Sequence, residues 1–323
     1  MPTRKSPRSG SLQFWPRKRA NKFLPRVNWG AIPSDKSKNL KGFICYKAGM
    51  ASAYVKDNTP DSMTKDKPIT IPVTILECPS IKIFSVRFYK DNKVSKDILA
   101  ETLDKELKRK VKLPNLKLKS NANKAKLDSV KLEDYDNVTI IAYSQVKTTG
   151  LKKKPDLVEI GLTGANVEEK LAWVKENINR EISALEIFEA NQLVDLRGLT
   201  RGRGLVGPVK RFGIKLKASK SEKGRRRPGN IGPWHPARVT FRIPMAGQLG
   251  MFTRAVYNNK IVSVGKASEN PIKNVKNYGD VKTDYIIVRG SIQGPAKRQL
   301  VMTAPLRTSK KQDKKNFELV RLM

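Results

Sequence analysis

The chain has 323 residues, 38% of them hydrophobic, enough to build the core of one large or two ordinary domains. Its 66 lysines and arginines face only 29 acidic residues, a formal net charge of +37, so the folded chain repels itself until a polyanion neutralises it. No apolar stretch approaches the roughly 20 residues that span a bilayer, and the basic N-terminal residues precede no apolar run of the secretory kind. Cys45, Cys78 and one histidine, His235, cannot assemble a Cys/His zinc set. The expectation is a cytoplasmic protein with reduced thiols, with no metal, cofactor, small-molecule substrate or membrane partner. Nucleic acid is the expected polyanion.

Residues 1–40 read as a basic extension and 41–323 as a globular domain. The first thirty residues contain no Asp or Glu, are punctuated by Pro2, Pro7, Pro16 and Pro25, and interleave Phe14, Trp15, Phe23 and Trp29 with cations. Proline and charge prevent a packed helix there. Arg4, Lys5, Arg8, Phe14, Trp15, Arg17, Lys18, Arg19 and Lys22 are therefore candidate RNA contacts, the rings stacking on bases while the cations meet phosphates. A disordered solubilising tail is the competing reading, and such tails are usually poor in aromatics.

Order begins at GFICYKAGM (42–50), a short apolar run ending in a glycine turn, followed by two stronger strand signals, ITIPVTILEC from 70 to 78 and IKIFSVRFY from 81 to 89. VSKDILAETLDKELKRK then predicts a helix: Ile98, Leu99, Leu103 and Leu107 share one face, and Ser95 is a plausible cap. Residues 111–132 read as an exposed excursion, and NVTIIAYSQV (137–146) and LVEIGL (157–162) as strands. Asn166 followed by Glu169 predicts a capping box before a second helix, whose Val167, Leu171, Val174 and Ile178 share a face. After 191 the chain reads as strands and turns, including a hairpin in RAVYNNKIVSVG with Asn258 and Asn259 in its turn. The fold class expected is mainly β, a β-barrel or closed antiparallel sheet with an inserted helical part at about 90–190 and a basic central loop at about 200–240.

Two motifs suggest enzymes. Gly202, Gly204 and Gly207 have dinucleotide-loop spacing, but PVKRFGIKLKASKSEKGRRRPG after them predicts no helix to carry a pyrophosphate. His235 would need an orienting carboxylate, and Glu222 is the sole acidic residue between 200 and 260. An RNA-modifying or RNA-cleaving enzyme using His235 is kept as the alternative function. A loop-shaping or RNA-contacting histidine is the plainer reading, and no catalytic residue is assigned.

Around that glutamate stand Arg201, Arg203, Lys210, Arg211, Lys215, Lys217, Lys220, Lys223, Arg225, Arg226 and Arg227. Solvated faces mix signs; this stretch does not, and it should order on a polyanion. Each limb of about twenty residues could extend roughly 65 Å. In GRRRPGNIGPWHPARV, glycines allow tight turns, and Pro233 and Pro236 stiffen the segment carrying Trp234. Trp234 reads as a tip that stacks on RNA, with a buried core anchor as the other possibility. Trp234, His235, Arg238, Gln248 and Arg254 complete the RNA-contact candidates.

Several stretches together, SLQFWPRKRA, GFICYKAGM, TRGRGLVGPVKR, IGPWHPARV and MAGQLGMFTRAVYN, resemble the archaeal and eukaryotic form of the large-subunit ribosomal protein three family. The resemblance runs from about residue 8 to the last strands. It implies a six-stranded translation-protein-type β-barrel with an inserted α/β helical part, and two long basic RNA-penetrating extensions, the N-terminal arm and the central loop. It further implies a structural constituent of the large subunit that binds 23S-type rRNA near its 3′ end and nucleates assembly, beside ribosomal proteins fourteen and twenty-four-e. The tryptophan of the WHPA motif, here Trp234, would approach the peptidyl transferase centre. Eukaryotic relatives carry a modifiable histidine in the basic stretch, where this chain has Lys, Ser, Glu and Arg. With the lack of a eukaryote-length C-terminal extension, this points to an archaeal-type chain.

Overall fold

The computed structural model describes residues 10, 11, 13–33, 39–113, 127, 129–130, 134–164 and 166–323. The chain divides into two compact units, Met1–Phe23 with Leu199–Arg254, and Leu24–Gly198 with Ala255–Met323.

The architecture is mainly β. Seven antiparallel strands form the larger sheet: β1 (Gly42–Asp57), β2 (Pro68–Glu77), β7 (Leu193–Leu199), β10 (Thr253–Gly265), β11 (Tyr285–Arg289), β12 (Gln299–Thr303) and β13 (Phe317–Leu322). Their order is β12-β7-β10-β11-β2-β1-β13, and a further β12–β1 pairing closes six of them into a ring. The long β1 makes this possible, continuing past Gly49 as a bulge where a turn is expected from the sequence: its first residues pair with β12 from Gly42↔Thr303, while its last pair with β13 to Asp57↔Phe317.

Period-two alternation sorts the apolar residues into two cores. Leu76, Ile286 and Val288 join Phe43, Ile44 and Tyr46 in the larger one. Their neighbours Ile75 and Ile287 join Val55, Ile71 and Phe317 in the smaller. Burying these branched side chains is the main stabilising term, about 1.5–3 kcal/mol for each large residue.

The middle of the chain is more β than its sequence suggests. β3 (Ile81–Lys90), β4 (Lys93–Leu99), β5 (Asn137–Ser144) and β6 (Leu157–Gly161) form a four-stranded sheet in the order β4-β3-β5-β6. The helix expected over 94–110 is thus replaced by a strand and a short 3-10 turn, Lys105–Arg109. The cause lies just upstream, where Asp91 and Asn92 both adopt positive φ, 50° and 59°, and pair Lys90 with Lys93 across a two-residue turn. That geometry matches the twist of a hairpin and overrides helical periodicity. Ile98 and Leu107 are buried all the same.

The second expected helix is present as α1 (Val167–Asn177), with Leu171 and Val174 buried. Asn166 is its N-cap residue, but its side chain makes no capping hydrogen bond, so the reciprocal box does not form; Asn166 contributes its carbonyl, which accepts from Lys170 N at 3.4 Å. The hairpin expected at Asn258–Asn259 is also absent: both lie within the continuous β10. Asn258 takes φ +54° while its N–H donates to buried Asp195 at 2.8 Å, and Asn259 Nδ2 donates to Val256 O at 3.0 Å. The pair distorts a strand instead of ending one.

At the end of β1, Asp57 accepts from Thr59 N and Ser62 Oγ, both at 3.0 Å, and from Thr64 Oγ1 at 2.5 Å. Burial favours the neutral acid, but these donors outweigh it and hold the carboxyl down at about 2. A depressed carboxylate stabilises the fold above its unfolded value, and that contribution disappears as pH falls through the folded value. Asp57→Ala should therefore remove roughly 2 kcal/mol at neutral pH and flatten the stability loss between about pH 4 and pH 2, measured by denaturant titration. An unchanged acid limb would contradict this assignment.

Candidate nucleic-acid interface

The unit formed by Met1–Phe23 and Leu199–Arg254 holds twenty-one of the chain's 66 cations and one acidic residue, Glu222. Its central loop has an ordered neck. Thr200 N donates to Phe252 O at 3.0 Å, Arg203 N to Leu249 O at 3.0 Å, and Leu249 N to Gly204 O at 2.9 Å. β8 (Leu205–Val206) then pairs with β9 (Gly247–Gln248). The limbs approach so closely that a Cβ on Gly250, at φ +81°, would lie 2.0 Å from the Arg201 carbonyl oxygen; only glycine fits.

Beyond the neck, Pro208–Phe212 forms a single helical turn, α2, with Pro208 in its first turn and Gly213 at φ +68° as its left-handed stop. This corrects the expectation of no helix after Gly207. The turn is too short to build a pyrophosphate cradle, and Pro208 lacks the N–H such a cradle needs.

Four predicted contact residues hold the unit together internally. The Arg211 guanidinium donates to Gln248 O and Met245 O, each at 3.0 Å, and to Ala246 O at 3.4 Å, tying α2 to the returning limb. Gln248 Nε2 donates to Leu249 O and Gly250 O at 3.2 and 3.1 Å. Arg17 donates to Ser11 O at 3.0 Å and lies 4.8 Å from the Trp15 ring centre and 4.3 Å from that of Phe212. Arg254 sits 4.5 Å from the Phe14 ring and 5.3 Å from Phe252.

Trp15 stacks on Phe212 with centroids 6.2 Å apart and meets Phe241 edge-on at 5.3 Å. Aromatic pairs of this kind contribute about 0.5–1.5 kcal/mol beyond area burial. Sequence reasoning missed Phe212 and Phe241, and nothing in their local pattern marks them as partners of a tryptophan some two hundred residues earlier. The signal that marks the turn carrying Phe212 is Pro208 at its start with Gly213 at its stop.

A cleft of about 280 Å³ borders Phe14, Trp15, Arg17, Lys18, Phe252 and Arg254. Its rings can take a planar base, and its cations the attached phosphate.

The remaining candidates face solvent. Lys18, Arg19, Lys22, Arg201, Arg203, Lys210, Lys215, Lys220, Lys223, Arg225, Arg226, Arg227 and Arg238 are exposed, and Lys217 is half-buried. Arg4, Lys5 and Arg8 lie outside the described residues. Residues 213–246 contain no helix or strand; Lys217 and Arg225 close a local turn, Lys217 N donating to Arg225 O at 3.1 Å and Arg225 Nε to Lys217 O at 3.2 Å. Trp234 is 86% exposed, which settles it as a projecting ring and not a core anchor. His235 is exposed beside it, and among the described residues no carboxylate pairs with it. Among those residues no group of three metal-binding side chains occurs, and no helix is long and apolar enough to cross a membrane.

The profile of the family described as Ribosomal protein L3 matches residues 1–322. The large ribosomal subunit protein uL3 of Methanococcus maripaludis is 39% identical over 313 residues, covering 94% of this chain and 92% of the relative. That of Methanococcus aeolicus is 40% identical over 314 residues, covering 94% and 92%. The uL3 of Methanocaldococcus jannaschii is 37% identical over 312 residues, covering 93% and 91%.

Proposed function

The chain belongs to the ribosomal protein L3 family, and from that premise we propose that it is a non-enzymatic, RNA-binding structural constituent of the large ribosomal subunit in the cytoplasm. The N-terminal extension and the central loop are its RNA-facing parts. Their exposed cations neutralise 23S-type rRNA near its 3′ end, so that the protein nucleates subunit assembly, and Trp234 reaches toward the peptidyl transferase centre. Ribosomal proteins fourteen and twenty-four-e are its proposed neighbours.

The observation that carries this reading is the charge segregation: twenty-one cations against Glu222 in one unit that also projects an exposed indole. Free, such a surface repels itself. Bound to RNA, each neutralised phosphate releases condensed counterions and lowers the free energy. Backbone contacts of this kind position the protein without reading sequence, while Trp234, Phe14 and the cleft beside it supply faces for unstacked bases. Among the described residues, no carboxylate stands beside His235 to orient it for the RNA-modifying reading.

The test is a titration of the full chain against 23S-type rRNA over a range of salt. The logarithm of affinity should fall linearly with the logarithm of salt, with a slope of about −5 or steeper if six or more phosphates are neutralised. An affinity indifferent to salt would refute the electrostatic part of the proposal.

A further inference from the structure

The second unit carries a concentration of positive charge that the arm and central loop do not account for. Between β12 and β13, residues 304–316 contain Arg307, Lys310, Lys311, Lys314 and Lys315 against one acidic residue, Asp313. Arg307, Lys310, Lys311 and Lys314 are exposed, and Lys315 is half-buried.

This connection is fastened along its length. Leu306 N donates to the buried Asp195 carboxylate at 2.9 Å, and Ser309 N to Asn258 Oδ1 at 3.3 Å. The buried Lys260 ammonium donates to Asp313 O at 2.8 Å. Asn316 N donates to Thr59 Oγ1 at 3.1 Å, and Phe317 N to Asn191 Oδ1 at 3.0 Å. Between these tethers a single helical turn, α3 (Lys310–Asp313), fixes the backbone that carries the lysines.

The frame also crowds like charges. Burial first, then Arg289 and Lys311, push the Lys315 ammonium below its ordinary pKa, with Asp57 opposing. Arg289 ends β11 and holds its guanidinium 5.0 Å from the Phe317 ring. Asp57 spends its oxygens on Thr59, Ser62 and Thr64. Among the described residues, none of the five cations of this connection forms an ion pair.

Cations held together on a fixed frame cost free energy in the isolated protein, and an anion placed among them recovers it. A series of cations along an irregular segment fits a series of phosphates better than one small anion, and its fixed backbone lowers the ordering cost of binding.

We propose that residues 307–315 form a second RNA-backbone docking surface, on the strand-rich unit, binding phosphates independently of the arm and central loop. It rests on the reading of the chain as an rRNA-binding protein. The surface offers no exposed ring, so it grips backbone without selecting sequence.

The test uses the full chain and transcribed 23S-type rRNA. In Lys310→Gln/Lys311→Gln/Lys314→Gln/Lys315→Gln the salt slope should become shallower by about three, at about 0.7–0.9 for each phosphate that is no longer neutralised. The matching Lys→Arg variant should restore it, and both should melt near the wild-type temperature. A wild-type slope in the glutamine variant overturns the proposal and leaves an acidic protein neighbour as the surface's occupant. An arginine variant as defective as the glutamine one also overturns it, because the loss would then follow side-chain fit instead of charge. A flat slope in the wild-type chain would refute the wider RNA-binding reading as well, which separates the two failures.

Discussion

Trp234→Ala should leave the melting temperature of the free protein nearly unchanged while impairing large-subunit assembly or translation. The indole is 86% exposed, so truncating it removes almost no buried area, and surface substitutions of this sort usually change stability by less than about 0.5 kcal/mol. In the proposed role the indole acts on RNA, where a base stacked on an aromatic ring is worth about 1–3 kcal/mol. Trp234→Phe retains a smaller ring and should recover part of the loss. A substantial drop in the melting temperature of the free Trp234→Ala protein would contradict the projecting-ring account. A fully stable variant that assembles and translates normally would contradict the stacking role.

The largest stability effect is expected at Glu77, which is wholly buried at the end of β2. Its carboxylate accepts from Lys282 N at 2.8 Å, Thr283 N at 3.0 Å, Thr283 Oγ1 at 3.2 Å and the Tyr278 hydroxyl. Burial and then the carboxylate charge push the Tyr278 phenol far above its usual range, so it stays a donor. One side chain thus fixes the segment 278–283 that precedes β11. Glu77→Ala takes the acceptor from two amides and two hydroxyls in a part-buried segment, each at a cost of up to about 1–3 kcal/mol before relaxation. The expected net loss is about 3–5 kcal/mol, or a melting point roughly 10 °C lower. Glu77→Gln keeps the acceptor oxygen but turns an amide donor toward other donors, and should lose less. A loss below about 1 kcal/mol in Glu77→Ala would show that water or rearrangement replaces the carboxylate.

How much of this was legible follows from the range over which each feature is encoded. β2, β3, β5 and β6 were readable because β-branched residues alternate within each segment, and α1 because its apolar face repeats at helical spacing. The 94–110 stretch was misread although Ile98 and Leu107 were correctly placed inside. Two positive-φ residues upstream decided the period, and Asp91-Asn92 carries only a weak turn signal. Asn258 and Asn259 resemble a turn pair, yet the acceptor Asp195 that fixes Asn258 lies far away in sequence.

Within the candidate interface, charge made the cations visible, since composition alone shows a run with one glutamate. Their division of labour was not visible. Arg17, Arg211 and Arg254 read as RNA contacts alongside Arg225–Arg227, but their carbonyl and ring partners come from distant stretches. The connection at 304–316 was passed over because its lysines are unremarkable in a basic chain until the tethers that fix them are known.

Residence in the large subunit is the property from which every proposed role of this chain follows. Sedimentation of a lysate containing the full chain, through a sucrose gradient at high salt, tests it most directly. The chain should travel with the large-subunit peak, held by many simultaneous phosphate contacts within an assembled particle. Recovery of the chain at the top of the gradient, with the large subunit intact and lacking it, would show that the chain is not a resident of that subunit.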